Sequence, residues 1–436
     1  MTAGMSQVRK QFGSYGFRRG PLCAVAVIGA SMLGTIGAAP EAVAADVQSK
    51  QWYLDAMSAD EIWKSTTGEG IKIVVIDSGV NASTPSLKGQ VLKGLDATET
   101  DGKTDDFDGH GTTIAELIAG TGAGGGLKGL APGAKIIPMR VADEEFEKKH
   151  KSEPLDNSNA IRAAADGDAQ IINLSVGGEF VDPYEKEAVE YAQSKGKLIF
   201  AAVGNTGDKA NKALYPAKYP EAVGVAASDS DGQVAKYSVH GDVVDIAAPG
   251  SDIPYWCDET FTKYCDGDGG TSAATALASA SAALIWSANP DWTANQVLRV
   301  MFESAGRGDD WKPGTVSNYL GHGLVRPNVA INRGVGKPGD PDLSPLTNER
   351  TAAGGSADAG APSEEGAKDD GADSSPPKSG AEGDGTDTGK DTDAVAAGSA
   401  EDSGDDSQLG LILGGVAVVA VLAGGAFAVV RKRRTA

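Results

Sequence analysis

The 436-residue sequence predicts an α/β fold in which a parallel β-sheet is covered by helices on both faces. Three observations support this fold class. Short runs rich in Val and Ile recur between residues 71 and 247. Most of these runs are apolar at consecutive positions, which is typical of strands that are buried on both faces. Helix-length stretches separate them, as the crossover connections between parallel strands require.

The individual elements follow from this pattern in chain order. The predicted strands are 71–76, 136–141, 170–175, 198–202, 223–227 and 243–247, and the predicted helices are 111–120, 157–166, 183–195 and 272–288. In an open parallel sheet the ligand crevice lies beyond the carboxyl ends of the strands. Because Asp77, Ser175 and Asn205 fall at or just after such ends, we expect the functional site to include them.

The chain divides by composition into a folded body and a low-complexity tract. Residues 46–336 are predicted to form one domain, and residues 337–408 a linker rich in Pro, Gly, Ala and Ser. Within that linker, residues 351–408 carry 15 acidic and three basic side chains and no aromatic ring. Such a segment cannot bury enough apolar surface to offset its ordering entropy, so we expect it to be disordered.

The N-terminal 45 residues have the pattern of a secretory signal peptide. Basic residues at 9–10 and 18–19 precede an apolar stretch at 22–39, and Ala42-Val43-Ala44 offers a cleavage site. The general secretion route is favoured over the twin-arginine route. An uncleaved N-terminal anchor is the alternative.

The C-terminal segment has the pattern of a membrane anchor. Residues 409–430 carry no charge, and a helix of this length spans about 33 Å, enough for a hydrocarbon layer of about 30 Å. The basic residues at 431–434 within the tail 431–436 favour a cytoplasmic tail. We therefore expect a single-pass protein of the cell membrane with its folded body outside the cell.

Charge and cysteine content further restrict the kind of partner and the cellular compartment that we expect for the protein. A net charge of −21 argues against nucleic acid as the main partner, because phosphate binding needs a basic surface. Of the three cysteines, Cys23 lies in the predicted signal peptide, which leaves Cys257 and Cys265. Outside the cell we expect these two to form a disulfide, with two free thiols as the alternative.

Three short motifs carry the groups needed for nucleophilic catalysis. In chain order they are Asp77-Ser78-Gly79, His110-Gly111-Thr112 and Gly270-Thr271-Ser272-Ala273. A serine nucleophile needs a base to accept its proton, and the base needs a carboxylate to orient it. Each motif alone is more often a turn or a helix N-cap. Together they predict a triad of Asp77, His110 and Ser272.

Asn205 is a candidate for stabilising the negative charge that forms during acyl transfer. It follows the apolar run 198–203 and Gly204. Its side-chain amide, together with the backbone N–H of Ser272, could stabilise the oxyanion of a tetrahedral intermediate. The alternative is an ordinary turn residue.

On these motifs, residues 50–335 resemble the subtilisin-like serine proteases of the subtilase family. Further matching stretches are 71–80, 108–112, 129–134, 172–177 and 248–250. The resemblance implies a subtilisin-like parallel sheet, a serine endopeptidase acting on protein or peptide substrates, and Ser175, Val176 and Gly177 as the edge that pairs with the substrate backbone. It implies no cofactor for the reaction. A structural Ca²⁺ held by Asp266, Asp268 and Asp105–Asp108 is possible for the family, although no twelve-residue calcium loop is present.

Some residues depart from the family pattern. The Pro and His that usually follow the nucleophile are missing, which affects the start of the helix rather than the triad. Thr113 and Glu116 replace the usual His and Gly after the catalytic histidine. We expect Glu116 to face solvent, with a position that perturbs His110 as the alternative.

The order of segments resembles the mycosins, the membrane-anchored subtilases of type VII secretion systems. This resemblance implies a partner in the type VII secretion membrane complex, although Phe107 stands where many mycosins are expected to have Cys. The competing hypothesis is a catalytically idle subtilase fold that stabilises such a complex as a structural subunit.

Overall fold

The computed structural model describes residues 47–351, apart from residues 143–145, 147–156, 268, 309–310 and 313. The predicted signal peptide, most of the linker, the predicted membrane span and the basic tail therefore lie outside the described residues. Within the described part of the chain, no helix is long and apolar enough to cross a membrane.

The described chain alternates strands and helices. The strands are β1 (Lys72–Asp77), β2 (Leu95–Asp96), β3 (Lys135–Arg140), β4 (Ile171–Leu174), β5 (Leu198–Ala202), β6 (Val223–Ser228), β7 (Ile246–Pro249), β8 (Tyr255–Trp256) and β9 (Tyr264–Cys265). The helices are α1 (Trp52–Ala56), α2 (Ala59–Ile62), α3 (His110–Ala119), α4 (Ser158–Asp166), α5 (Pro183–Ser194), α6 (Thr271–Ala288), α7 (Ala294–Ser304) and α8 (Pro327–Arg333).

The central sheet has seven strands in the order β2-β3-β1-β4-β5-β6-β7, and all neighbours are parallel. The predicted α/β class is thereby confirmed. The chain turns to opposite sides of β1, since β3 lies on one side and β4 on the other. A ligand crevice is expected beyond the carboxyl end of such a switch point, which is where Asp77 and Ser175 lie.

Side chains of β1 alternate between two apolar cores, one on each face of the sheet. Ile73 and Val75 belong to the core that includes α3 and α6, whereas Val74 and Ile76 belong to the core that includes α4 and α5. Alternation of this kind follows from the two-residue period of a strand. Helices therefore cover both faces, as the sequence predicts.

Helix α6 crosses the first of these cores. Its sequence is rich in Ala, the strongest helix former, and its small side chains let it approach the sheet closely. Only Ser272, Ser287 and Ala288 of its 18 residues are not buried. The helix ends where Asn289 precedes Pro290, because the residue before a proline disfavours the helical conformation.

A small antiparallel hairpin, β8–β9, lies beside the start of α3. Cys257 and Cys265 form a disulfide across it, with their Cα atoms 5.2 Å apart. Trp256 and Tyr264 face one another on the two strands, and their rings stack with centroids 3.8 Å apart. Periodicity does not predict this hairpin, because two-residue strands are too short to show alternation.

Residues before β1 form part of the folded body. Tyr53 is completely buried, and the side chain of Gln51 exchanges hydrogen bonds with the backbone of Lys128. The indole of Trp52 donates to the carbonyl O of Ser251 at 3.1 Å, close to where the hairpin begins.

The folded body also extends beyond its predicted end near residue 336. Asn295 of α7 donates to the carbonyl O of Pro341 and to the Thr351 hydroxyl, and Arg299 donates to the carbonyl O of Leu343. The predicted linker boundary at residue 337 is therefore too early. Side chains of α7 satisfy the backbone of this Pro/Gly-rich segment, an interaction that composition alone does not reveal.

Candidate active site

The three motif residues lie together at the carboxyl edge of the sheet. Asp77 ends β1, His110 begins α3, and Ser272 is the second residue of α6. The Nδ1 atom of His110 lies 2.6 Å from Oδ1 of Asp77. His110, Ser272 and Asn205 line one cavity of about 460 Å³. The fold therefore brings His110, Ser272 and Asn205 to one cleft and places Asp77 directly behind His110.

The Asp77 carboxylate is completely buried and fixed by its neighbours. Its Oδ1 accepts from the backbone N–H of Ser78 at 2.8 Å as well as from His110. The Ser78 hydroxyl in turn donates to Asp106 at 2.8 Å and accepts from the backbone N–H of Gly111 at 2.9 Å. These contacts connect the end of β1 directly to the first turn of α3.

Asp106 orders the start of α3. Its carboxylate accepts from the backbone N–H groups of Gly109 and Thr112, at 3.0 and 2.8 Å, and from the Thr112 hydroxyl. These bonds satisfy N–H groups that have no acceptor at a helix start, and a negative charge is favourable there. This role of Asp106 was not predicted from the sequence, because Asp106 lies three residues before the N-cap Gly109, outside the usual capping position.

Backbone contact sets the separation between Asp77 and His110. A Cβ atom on Gly111 would lie 2.1 Å from the carbonyl O of Gly79 and 3.1 Å from Oδ1 of Asp77. Only glycine therefore lets α3 approach β1 this closely.

The environment of His110 favours the imidazolium. Burial opposes the charged form, but the charge and hydrogen bond of Asp77 outweigh it, and Asp108 and Asp106 add to the attraction. Together these effects raise the pKa of His110 from 6.5 to about 9. The side chain is still 40% exposed toward the cleft, so its outer edge can meet a substrate.

The hydroxyl of Ser272 donates to the carbonyl O of Ser175 at 3.1 Å. In return, the Ser175 hydroxyl donates to the carbonyl O of Ser272 at 3.1 Å. Transfer of the Ser272 proton to His110 therefore requires the Ser272 hydroxyl to break this hydrogen bond and turn toward the imidazole.

Asn205 is oriented by the residue that precedes Ser272. Its Oδ1 accepts from the backbone N–H and the hydroxyl of Thr271, at 2.9 and 3.1 Å. Because Oδ1 is engaged in this way, the amide Nδ2 is the group available to the cleft. The backbone N–H of Ser272, in the first turn of α6, has no helical acceptor either. A Cβ atom on Gly270 would lie 3.5 Å from Asn205 Nδ2 and 3.7 Å from the backbone N of Ser272, so the two nitrogens lie close to the same point. Paired N–H donors of this kind are what an oxyanion requires.

The predicted substrate edge follows β4. Asn173 donates to the Ser175 hydroxyl at 3.0 Å, which fixes the start of the edge. A Cβ atom on Gly177 would lie 2.3 Å from the carbonyl O of Tyr215, so glycine is required at that position. Ser175 and Val176, together with His110, line a second cavity of about 250 Å³.

Glu116 contradicts the expectation that it faces solvent. It is completely buried, and its carboxylate accepts from Thr84 at 2.8 Å and from the Tyr264 hydroxyl at 2.6 Å. Burial raises its pKa to about 7. The face of α3 that carries Glu116 is covered by the hairpin, which the sequence analysis did not predict.

Two of the acidic residues considered for Ca²⁺ have other partners in the described part of the chain. Asp106 already accepts from the N-terminal groups of α3, and Asp266 pairs with Lys50 at 2.8 Å. Asp268 lies outside the described residues. Within the described ranges, no group of three or more His, Cys, Asp or Glu side chains is placed to hold a metal ion.

A buried carboxylate bonded to an imidazole, in a cleft that also holds a serine hydroxyl, is an arrangement typical of serine hydrolases. A family model supports a narrower assignment. The chain belongs to the subtilase family, whose model matches residues 68–323, and the enzymes of this family are serine endopeptidases.

Individual relatives agree with this assignment. Thermitase from Thermoactinomyces vulgaris is 34% identical over 277 residues, which cover 62% of this chain and 95% of thermitase. Among solved structures, the MycP3 protease from the type VII (ESX-3) secretion system has a TM-score of 0.53 at 28% identity, covering 64% of this chain and 88% of its own. MycP1 from Mycobacterium smegmatis has a TM-score of 0.53 at 26% identity, covering 64% and 84%.

Proposed function

We propose that this chain hydrolyses peptide bonds with Asp77, His110 and Ser272 as its catalytic triad. The observation that carries the proposal is the 2.6 Å contact between His110 and a buried Asp77, in a cleft that also holds Ser272 and Asn205. Family membership supports the reaction class, and the geometry supports the assignment to individual residues.

In the first half of the reaction, Ser272 Oγ attacks the scissile carbonyl carbon while His110 Nε2 accepts the hydroxyl proton. Asp77 stabilises the imidazolium that forms, which agrees with the raised pKa of His110. Asn205 Nδ2 and the backbone N–H of Ser272 donate to the oxyanion. His110 then protonates the leaving amine, and the C–N bond breaks to give an acyl-enzyme.

In the second half, His110 accepts a proton from water, and the resulting hydroxide equivalent attacks the ester carbonyl of the acyl-enzyme. The ester bond breaks, and the proton returns to Ser272 Oγ. The acyl half of the substrate pairs with the edge at Ser175, Val176 and Gly177 by main-chain hydrogen bonds.

Labelling with a fluorophosphonate tests this function directly, because the reaction requires an activated serine. We expect covalent modification of Ser272 in the wild-type protein and none in Ser272→Ala, with peptide hydrolysis lost in the same variant. Unlabelled wild-type protein of native fold would instead favour the catalytically idle subunit, in which Ser272 stays bonded to Ser175.

We further propose an anchored, exported location. The support is the signal-peptide pattern at 1–45 and the uncharged stretch at 409–430 followed by basic residues. Protease digestion of intact cells tests the topology: the folded body should be degraded, whereas a tag at the C-terminus should be protected. A protected folded body would contradict the proposal.

We also propose a partner in a type VII secretion membrane complex. The support is the similarity to MycP3 and MycP1, the first of which is described as a protease from a type VII system. Affinity purification of the full-length chain from detergent extracts should recover the membrane subunits of that complex. Purification of Ser272→Ala by the same procedure separates assembly from catalysis.

A further inference from the structure

The disulfide-closed hairpin lies against the helix that carries His110. The backbone N–H of Trp256 donates to the Thr113 hydroxyl at 3.0 Å, and the Tyr264 hydroxyl donates to Glu116 at 2.6 Å. One strand of the hairpin thus bonds to the first turn of α3 and the other to its second half. Thr113 and Glu116 are also positions of α3 at which the resemblance to subtilases leads us to expect other residues, His and Gly.

The contacts on both sides of this junction are buried. Trp256 is only 8% exposed, and Glu116 is completely buried. The rings of Trp256 and Tyr264 stack on one another across the hairpin, with centroids 3.8 Å apart. Main-chain packing is close as well, since a Cβ atom on Gly109 would lie 3.0 Å from the carbonyl O of Asp258. The hairpin is therefore fixed relative to His110 rather than a loop free to move.

The hairpin also forms a wall of the cavity that contains Ser272 and His110. The hairpin contributes Tyr255 and Trp256 to this wall, and Ile253, Ile114 and Ala273 from neighbouring segments complete the apolar lining of the cavity. Tyr255 is 41% exposed and projects at the surface of the cavity. Asp108 contributes a carboxylate to the lining, and no Lys or Arg side chain lines the cavity in the described part of the chain.

The direction of the substrate follows from the two cavities beside His110. Ser175 and Val176 line only the smaller one, and the hairpin lines only the larger one. If the acyl half pairs with the edge at Ser175, the leaving half departs from Ser272 toward the hairpin.

We propose that the hairpin β8–β9 binds the residue after the scissile bond and selects an apolar or aromatic side chain there. Tyr255 is the specificity-determining residue, and Thr113 and Glu116 are positioning residues that hold the hairpin on α3. An acidic side chain is disfavoured because it would meet an apolar wall and the carboxylate of Asp108. This inference rests on the proposed peptidase function and adds the substrate preference on its leaving side.

A peptide series that varies only the residue after the scissile bond tests the proposal. For wild-type protein we expect kcat/KM to be at least about tenfold higher with Phe or Leu than with Asp, since even a single methylene group in an apolar pocket changes kcat/KM by about 10–200-fold. Mass spectrometry of the products locates the cleaved bond. Tyr255→Ala should reduce the ratio of Phe to Asp by about tenfold, and because Tyr255 is a surface residue this variant should fold.

The positioning residues are tested by variants that keep their shape. Tyr264→Phe removes the hydroxyl that bonds Glu116 but keeps the stacked ring, and Thr113→Val removes the acceptor for Trp256. Each should lower the ratio of Phe to Asp several-fold. Thr84→Val is the matched control, because it removes the other hydrogen bond to Glu116 without touching the hairpin, and it should leave the ratio unchanged.

Three outcomes would overturn the inference. The ratio could be the same in wild type, Tyr255→Ala and Tyr264→Phe, or Thr84→Val could lower it as much as Tyr264→Phe does. The selectivity could also lie in the residue before the scissile bond. Fluorophosphonate labelling of wild-type Ser272 distinguishes these results from a failure of the peptidase function itself. If wild-type Ser272 is not labelled, both the peptidase function and the substrate preference are refuted.

Discussion

The raised pKa of His110 makes a quantitative prediction about the pH dependence of catalysis. The imidazole must be neutral to accept the serine proton, so kcat/KM should rise as His110 loses its proton. With a pKa of about 9, about 1% of His110 is neutral at pH 7 and about half at pH 9. The expected gain between these two pH values is therefore about 50-fold. With the ordinary value of 6.5, about three quarters would already be neutral at pH 7, and the gain would be less than about 1.5-fold.

The assay is the initial rate of peptide hydrolysis below KM, at constant ionic strength, from pH 6 to 10. Asp77→Asn provides the matched perturbation, since it removes the carboxylate charge and leaves the burial of His110 in place. We expect the rate to fall about 10³–10⁴-fold and the remaining acid limb to move below 6.5. A wild-type profile that is flat between pH 7 and 9 would refute the reasoning about Asp77.

Stability should depend on pH in the opposite sense. A histidine whose pKa is raised on folding stabilises the fold fully below its unfolded value of 6.5, and that contribution is lost as pH rises through about 9. Urea unfolding at pH 6 and pH 9.5 measures the difference. Asp77→Asn should remove this contribution to the decline, and an unchanged decline would show that other groups cause it.

Three further predictions concern other parts of the molecule. Asn205→Ala should lower kcat about 10²–10³-fold with little change in KM, as steady-state kinetics can show; an equal loss through KM would place Asn205 in substrate binding instead. Burial raises the pKa of Glu116 from 4.5 to about 7, so the wild-type protein loses stability as the pH rises through this range. Glu116→Gln carries no ionisable group at this position. Between pH 5 and 8 its free energy of unfolding should therefore fall by on the order of 3 kcal/mol less than that of the wild type, as urea unfolding can measure. Equal losses in the two proteins would contradict this. Replacing Cys257 and Cys265 together by Ser should cost about 2–3 kcal/mol of unfolding free energy, the loop-closure value for their separation of eight residues, and no cost would indicate a compact unfolded loop.

The sequence predicts the central sheet well because the sheet depends on strong local signals, and the candidate site residues are recognised by their positions at the ends of these elements. Consecutive apolar β-branched residues identify β1 and β4, and parallel strands bring their carboxyl ends to one edge. Asp77, His110, Asn205 and Ser272 all follow or begin such elements, so their convergence follows from the topology rather than from any single motif.

The parts that the sequence does not reveal depend on contacts between distant segments. Whether the carboxylate of Glu116 is buried depends on which segment covers its face of the helix. The residue that bonds to it, Tyr264, lies 148 residues away in the sequence, so local sequence gives no sign of this contact. Similarly, a Pro/Gly-rich composition at 337–351 predicts a linker, and only the side chains of α7 show that it is ordered. Strand β7 begins at Ile246, three residues later than its apolar run predicts.

The contact between Gly111 and the carbonyl O of Gly79 has a consequence for how this enzyme class diverges. Because the backbone of Gly111 packs directly on the backbone of Gly79, the separation between Asp77 and His110 does not depend on the sizes of the surrounding core side chains. Substitutions elsewhere in the interior can therefore accumulate without increasing the separation between Asp77 and His110, provided that Gly111 is retained. This offers a physical reason why chains that share only about a third of their residues with this one can retain the same chemistry.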